Sequence, residues 1–320
     1  MRRAALAAAL ACAGPAAALE LIIPVDCEVG GDCYVQSLVD RDPGPDAVDY
    51  TCGSLTYDGH KGVDIRMATL AAMRAGVDVL AAAPGVVKAV RVNEPDAGRE
   101  GMREGRDCGN GVVIDHGGGW ETQYCHLARR SVGVAAGDRV QAGDALGRMG
   151  LSGNTEFPHL HFSVRKDGAT VDPFDARPAS ASCELAEEAS LWSTAAETAL
   201  AYAPGGVVDG GFAEGPVELD DVRAGLPTPP LGANAEALVF WSRFYGLRTG
   251  DEVRIELTGP GGEVAANEWR AERPRAEHML FAGARPPGGG WPAGRYDGEA
   301  TIIRDGAAYA ARRFALEIDG

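Results

Sequence analysis

The chain has 320 residues, enough for two domains that each bury a core of their own. Its 30 basic and 46 acidic residues give a net charge of −16 at pH 7, so the phosphates of nucleic acids and anionic lipid surfaces would be repelled. No stretch beyond the N-terminal residues approaches the ~18 uninterrupted apolar residues of a membrane-spanning helix. These totals argue against nucleic acid as a partner and against a membrane span.

The first 18 residues have the three parts of a secretory signal peptide. Met1-Arg2-Arg3 is a basic start, residues 4–11 form a short apolar run, and Ala16–Ala18 ends in a small-residue cleavage site. The sequence therefore predicts a periplasmic or secreted protein whose net charge becomes −18 once the leader and its two arginines are removed. A minor alternative makes Cys12 a lipidated N-terminus, although Ala9 stands where a lipoprotein signal usually has Leu.

Six of the seven cysteines lie beyond the leader, at positions 27, 33, 52, 108, 125 and 183. An even number of cysteines in an exported chain indicates disulfides, and the sequence alone does not choose among the pairings. Cys108 and Cys125 flank a predicted hairpin at roughly opposed positions and are a plausible pair. Residues 19–56 hold three cysteines and little periodicity, which predicts a disulfide-tied N-terminal wrap.

Residues 57–180 are predicted to form a compact antiparallel β domain. Short β-branched runs separated by turn signals predict its strands, and Gly117–Gly119 marks a hairpin. The charged stretch 93–109 interrupts the strands and is predicted to be a surface excursion along one wall of a groove. The predicted strands are 77–82, 85–92, 112–115, 121–126, one at Val140, 145–149 and 160–164.

The C-terminal part has a different sequence pattern, with a short helical segment followed by a second set of predicted strands. Residues 181–206 are predicted to be a helical linker, in which Thr194 and Glu197 form a capping box that opens a helix through Ala201. Residues 207–320 are predicted to be an accessory β-sandwich of immunoglobulin-like type without its cysteine pair, for which a wall polymer or another protein is a possible partner. The fold class is thus mainly β. The predicted strands here are 207–208, 237–245, 252–258, 277–281, 295–304 and 312–318.

The candidate metal ligands are mainly histidines. His159 and His161 are two apart on a predicted strand and project from one face, and such a pair is commonly held by a metal ion. His60 and Asp64 can reach one ion if the turn at Gly62 folds the imidazole back. With one histidine of the 159/161 pair they form a His, His, carboxylate set for Zn²⁺ that leaves a fourth position open, as a catalytic site requires.

Two further histidines are then left as unbound bases. They are the other member of the 159/161 pair and His126. Hydrolysis at a zinc site needs a group that takes a proton from water and a group that stabilises the developing oxyanion. The count of histidines therefore fits hydrolysis of an amide.

Five segments, taken in order, resemble the lysostaphin-like, or LytM-type, zinc endopeptidases of the bacterial cell wall. The similarity extends over roughly residues 57–175 and is specific in the combination of its motifs. The segments are His60-Lys-Gly-Val-Asp64, 76–87, 109–127, 137–143 and Pro158-His-Leu-His-Phe162.

The resemblance implies a role for each of the five side chains. His60, Asp64 and His161 would bind one zinc ion, His159 would act as general base, and His126 would assist in water activation or oxyanion stabilisation. It also implies a substrate class, the peptide stems of peptidoglycan, and an activity, hydrolysis of peptide bonds in the cross-links. The N-terminal wrap, the insertion at 93–109 and Cys125 before His126 depart from the family pattern and affect groove shape and substrate preference.

The sequence also permits other interpretations. The chain could be a zinc-retaining, non-catalytic wall-binding module or a regulator of other cell-wall hydrolases, because the family includes members of that kind. The substrate could also be another protein or a glycine-rich bridge. His116 at the hairpin is predicted to be structural, His278 a solvated surface residue, and Tyr124 a packing residue that shares the strand face of His126.

Overall fold

A computed structural model describes residues 19–178, 189–225 and 231–319. The predicted leader with Cys12, the position of Cys183 and part of the predicted linker lie outside the described residues. Within the described ranges, no helix combines the length and the hydropathy needed to cross a membrane.

In the described residues up to 178, the chain forms ten strands and one short helix, α1 (Leu70–Ala75). A single 3-10 turn, Gly98–Gly101, lies in the charged insertion. The strands are β1 (Cys33–Ser37), β2 (Val63–Met67), β3 (Asp78–Leu80), β4 (Gly85–Arg91), β5 (Asn110–Gly117), β6 (Trp120–Leu127), β7 (Arg139–Val140), β8 (Ala145–Arg148), β9 (His159–Lys166) and β10 (Ala169–Val171).

Most of these strands form one antiparallel sheet. Its order is β1-β2-β9-β6-β5-β4-β7, with β10 paired to β9, while β3 and β8 form a separate ribbon. Apolar side chains that alternate along β2, β5 and β9, such as Ile65, Ile114, Leu160 and Phe162, are fully buried in one core. The predicted compact antiparallel β domain is confirmed, and strands β2, β9 and β6 lie side by side within its main sheet.

The N-terminal segment is tied into this domain more closely than the sequence indicated. β1 pairs with β2 and so extends the main sheet, and a disulfide joins Cys27 to Cys33. Leu21 and Val25 belong to the core. The prediction missed β1 because a five-residue strand at a sheet edge carries little periodicity. The predicted pair Cys108–Cys125 is confirmed, and Cys52 is also disulfide-bonded.

The chain between the two domains packs on the first one. Helix α2 (Thr194–Ala199) places Ala196 in the first core, beside Trp192 and Leu200. The predicted cap was wrong by one residue, because Ser193, not Thr194, is the N-cap and accepts a hydrogen bond from the backbone N–H of Ala196.

The C-terminal domain is a sandwich of two antiparallel sheets around a second core. One sheet has the order β11-β12-β15 and the other β14-β13-β16-β17. The immunoglobulin-like type of this sandwich stays a prediction. Its elements are β11 (Gly206–Ala213), α3 (Leu219–Ala224), β12 (Leu238–Leu247), β13 (Glu252–Gly259), β14 (Gly262–Arg270), β15 (Arg275–Ala284), β16 (Gly294–Arg304) and β17 (Ala307–Ile318).

Strand β14 was absent from the sequence prediction. It lies at the edge of its sheet, and its residues are exposed or half-buried along its whole length. A strand that buries neither face has no reason to alternate apolar and polar residues, which is the signal that sequence reasoning uses.

Candidate metal centre

Three neighbouring strands bring the predicted side chains together. In the β2–β9 pairing Asp64 lies opposite His161, and in the β6–β9 pairing Cys125 lies opposite His161. His126 therefore follows directly on the strand beside His161, and His159 lies two residues earlier on β9. The sheet register places the carboxylate of Asp64 and the imidazoles of His159 and His161 on one face, and His126 joins them through a local irregularity of β6.

Asp64 is the centre of the cluster. Its Oδ1 lies 3.1 Å from His60 Nε2, 2.8 Å from His161 Nδ1 and 3.6 Å from His159 Nε2. His60 Nε2 and His161 Nδ1 are 3.2 Å apart. One ligand atom from each of His60, Asp64 and His161 thus lies within 4.8 Å of the others, close enough for one ion to contact all three.

The turn that brings His60 back to Asp64 depends on Gly62. A Cβ atom at this position would lie 2.7 Å from the imidazole of His161 and 2.7 Å from the carbonyl oxygen of Phe162. Only glycine allows the chain to pass so close to a ring that must keep its place. Close packing at the candidate metal centre therefore requires the glycine in His60-Lys-Gly-Val-Asp64.

Backbone and hydroxyl groups orient the two imidazoles that flank Asp64. His60 Nδ1 lies 2.6 Å from the carbonyl oxygen of Leu38, which can only accept, so Nδ1 carries the proton and Nε2 presents its lone pair to the centre. His161 Nε2 lies 3.0 Å from the hydroxyl of Ser163, while Nδ1 faces Asp64. Such outer hydrogen bonds are typical of histidines that bind metals.

His126 and His159 are held in the same manner but by other groups. His126 Nδ1 donates to the carbonyl oxygen of Ser152 at 2.7 Å, and His159 Nδ1 donates to that of Phe157 at 3.0 Å. Their ring centroids are 4.6 Å apart. In both rings the Nε2 atom is left as the free acceptor, so both can take up a proton on the side of the cluster.

A β-bulge aims His126 into the centre. Cys125 and His126 together oppose Gly111 in the β5–β6 pairing, and His126 has a positive φ of 63°. Such a backbone conformation is costly for a residue with a Cβ and is often retained at functional sites.

The bulge also corrects one expectation. Tyr124 does not share the face of His126, because the extra residue breaks the alternation of side chains. Tyr124 is instead fully buried in the core, where its hydroxyl accepts a hydrogen bond of 2.8 Å from the backbone N–H of Ala82. Its predicted role in packing is confirmed.

Burial and charge set the protonation of the cluster. Burial alone would raise the pKa of Asp64, but the surrounding His159 and His60 outweigh it and hold that pKa well below its usual value. Burial lowers the pKa of His126 to about 3 and also lowers the pKa of His159. Burial would lower the pKa of His60, but the adjacent carboxylate of Asp64 outweighs burial, so this pKa is raised. An ionised carboxylate beside imidazole nitrogens is the donor set that a divalent cation needs.

The cluster lies in a groove of about 490 Å³. His126, His159, His161 and Asp64 form its polar floor, and Arg99 of the charged insertion forms part of a wall, as predicted for that insertion. His60 and Asp64 are almost completely buried, whereas 19% of the His161 side chain is exposed. A bound group would therefore be reached from the groove on the side of His161.

These residues fit a zinc ion. Two imidazole nitrogens and one carboxylate oxygen converge, with their outer hydrogen bonds in place, and such a three-ligand set leaves one position for water or substrate. The structure thus brings all five predicted site residues together. Sequence reasoning missed the groups that orient them, because three are backbone carbonyls, of Leu38, Ser152 and Phe157, whose position no residue type reveals.

The remaining histidines lie away from the cluster. His116 Nδ1 lies 2.7 Å from the carbonyl oxygen of Pro84 and its Nε2 lies 2.8 Å from the hydroxyl of Thr122, which bears out its structural role. The prediction for His278 was wrong, because this residue is half-buried and stacks on Trp269 with ring centroids 3.9 Å apart.

The fold and the site thus define a β domain with a candidate metal centre of the metallopeptidase kind. Residues 58–173 match the model of Peptidase family M23, which confirms the resemblance over this segment.

Curated relatives are similar to part of the chain. A DD-carboxypeptidase/endopeptidase, Mpg, of Neisseria meningitidis is 34% identical over 118 residues, which are 37% of this chain and 23% of the relative. The peptidoglycan DD-endopeptidase ShyC of Vibrio cholerae is 36% identical over 95 residues, 30% of this chain and 20% of the relative. The similarity thus spans a quarter or less of the length of these proteins.

Solved structures are also similar in part. A zinc-containing peptidase from Vibrio cholerae has 26% sequence identity and a TM-score of 0.32, covering 45% of this chain and 37% of that one. The catalytic domain of the prophage-encoded M23 protein EnpA from Enterococcus faecalis has 24% identity and a TM-score of 0.32, covering 45% of this chain and 92% of that one.

Proposed function

We propose that this protein is an exported zinc metallo-endopeptidase that hydrolyses peptide bonds in peptidoglycan cross-links. The observation that carries the proposal is the convergence of His60, Asp64 and His161 on one point, with the free Nε2 atoms of His126 and His159 beside it in an open groove. The Peptidase family M23 match supports the peptidase activity, and the named functions of the relatives support peptidoglycan as the substrate.

Each residue has a distinct part in the proposed reaction. His60, Asp64 and His161 would hold the zinc ion, which supplies Lewis acidity that acidifies water and polarises a peptide carbonyl. His159 is neutral because burial lowers its pKa, and its Nε2 would take a proton from the attacking water and pass it to the leaving amine.

His126 would act beside it on the attacking water. Its Nδ1 is committed to Ser152, so only Nε2 faces the groove. Burial lowers the pKa of His126, so Nε2 keeps its lone pair and would accept a hydrogen bond from that water, which helps to orient it beside His159.

Export is the second part of the proposal. The signal-peptide pattern of residues 1–18 supports it, and so do the disulfides Cys27–Cys33 and Cys108–Cys125, which persist in oxidising compartments. Peptidoglycan lies in that same compartment.

Digestion of purified peptidoglycan sacculi tests the proposal. The protein is incubated with sacculi in zinc, in chelator, and in chelator followed by excess zinc, and soluble products are analysed by mass spectrometry. We expect peptide fragments that carry new amino and carboxyl termini, release that stops in chelator and returns with zinc, and no release by His159→Ala. Bound zinc without any release would instead support a non-catalytic wall-binding module.

A further inference from the structure

The groove at the metal centre has a second wall that comes from the C-terminal sandwich. Residues 245–248, at the end of β12, and residues 274–276, at the start of β15, line the same cavity as His126, His159 and His161. Substrate in the groove would therefore contact both domains.

The sandwich is fixed in this position by a buried ionic cluster. Arg243 of β12 has no exposed surface and donates to the backbone carbonyl of Ala68 in the first domain at 2.7 Å. It also pairs with Asp209 and with Glu277, and Glu277 lies 3.8 Å from Arg66 on β2. Tyr34 packs on Tyr245 across the same boundary, with ring centroids 4.5 Å apart. The second wall is thus held against the first domain by contacts that are costly to break.

This wall brings two arginines, Arg248 and Arg275, into the groove. Within the part of the chain that the structure describes, neither Arg248 nor Arg275 has a carboxylate within ion-pair distance, and the buried Nε of Arg275 has no hydrogen-bond partner. Arg99, in the same groove, differs because Glu156 neutralises it. In a protein with a net charge of −16, these two guanidinium groups give one end of the groove positive charge that no ion pair takes up.

We propose that Arg248 and Arg275 form a subsite for a carboxylate of the substrate peptide and so make the sandwich a determinant of specificity. A guanidinium group offers a planar fork of donors that fits a carboxylate in a bidentate manner. Because Arg275 is half-buried and its guanidinium carbon lies over the Trp269 ring, 5.9 Å from the centroid, it is restrained before substrate arrives. This subsite deepens the proposed function and rests on it.

The test compares two peptides that differ only in charge. A labelled, soluble peptidoglycan stem tetrapeptide is used as the free acid and with every carboxylate converted to carboxamide. The dissociation constants of both are measured by fluorescence anisotropy in the full chain carrying His159→Ala, so that peptide is not consumed. The same measurements are made after adding Arg248→Gln with Arg275→Gln, and after adding Arg270→Gln alone, an exposed arginine of the sandwich that lies outside the groove.

We expect the parent protein to bind the acid roughly tenfold to a hundredfold more tightly than the amide, as loss of a charge-assisted hydrogen bond predicts. The double variant should bind both peptides equally, and Arg270→Gln should keep the preference. Equal binding of acid and amide by the parent, or a preference that survives in the double variant, would overturn the subsite. Loss of the acid preference in Arg270→Gln would show that the preference comes from the overall positive charge of the sandwich, and this would overturn the subsite as well.

The subsite and the proposed function fail in different ways. If wild-type protein cuts sacculi but the parent shows no acid preference, the subsite is wrong and the peptidase stands. If sacculi stay intact while the acid preference and its loss in the double variant are observed, the proposed function is wrong and the carboxylate site stands. The acid-to-amide comparison needs no substitution in the groove wall, so a poorly folded double variant does not remove the test.

Discussion

Asp64 and His161 face each other across β2 and β9, with Asp64 Oδ1 2.8 Å from His161 Nδ1. The sheet register sets this contact, because the two residues are paired on neighbouring strands. Asp64 also contacts His60 and is nearly completely buried, so a low-pKa carboxylate is fixed where a cation would lie. The preorganisation of this pair is the physical basis for a metal centre here.

Gly62→Ala should weaken metal binding without removing a ligand. The new methyl group would lie 2.7 Å from the His161 ring and would displace it, and we expect zinc affinity to fall by about tenfold or more, in the range found when groups supporting a metal ligand are lost. Competition with a chromogenic chelator measures the affinity. Gly133→Ala is the matched control, because a Cβ there meets nothing within 4 Å. Equal affinities of the two variants would contradict the role of Gly62.

Removal of the disulfide beside His126 should affect both stability and turnover. The Cys108–Cys125 bond closes the chain next to the bulge that aims His126, and Cys108→Ser with Cys125→Ser should lower the free energy of unfolding by about 2–4 kcal/mol. Denaturant titration and sacculi digestion check the two effects. The Cys27–Cys33 pair is the control, because its removal should cost stability and leave turnover intact. Equal turnover in both double variants would refute this prediction.

Asp172 should make stability depend on pH near neutrality. Burial raises its pKa from 3.8 to about 7, only partly opposed by the N–H of Phe174 and by Arg41. Its folded pKa lies above its unfolded pKa, so the folded protein binds more protons between about pH 4 and pH 7, and the free energy of unfolding falls as pH rises through this window. Asp172→Asn should therefore stabilise the protein by roughly 1–3 kcal/mol at pH 8 and by much less at pH 5.

Denaturant titration in chelator at pH 5 and pH 8 measures this difference. Asp175→Asn is the control of opposite sign. Burial would raise the pKa of Asp175, but Arg177 and Arg41 outweigh burial and lower it. The contribution of this carboxylate to stability is therefore lost only at acid pH. Its substitution should cost the same at pH 5 and pH 8. A pH-independent gain from Asp172→Asn would show that Asp172 is ionised in the folded protein.

Much of the site could be predicted from the sequence, because its information is local. His159 and His161 are two apart on a strand, and both reach Asp64 as that period requires. His60 and Asp64 are joined by one turn. The motif order then supplied the resemblance that the Peptidase family M23 match confirms for residues 58–173.

The parts that could not be predicted depend on irregular or distant structure. The β-bulge at His126 turns its side chain away from the face of Tyr124, and no residue type at these positions predicts a bulge. Arg243 meets Ala68 across 175 positions of sequence, so the wall that the sandwich adds to the groove has no local signal. Strand β14 and helix α1 were missed because they bury few or no side chains.

Zinc content and turnover of two single variants test the central claim most directly. Wild-type protein, His161→Ala and His159→Ala are purified alike, zinc per chain is measured by mass spectrometry, and each is incubated with sacculi. The account predicts about one zinc in wild type and in His159→Ala, almost none in His161→Ala, and peptide release by wild type alone. One zinc retained by His161→Ala, or release by His159→Ala at the wild-type rate, would contradict it.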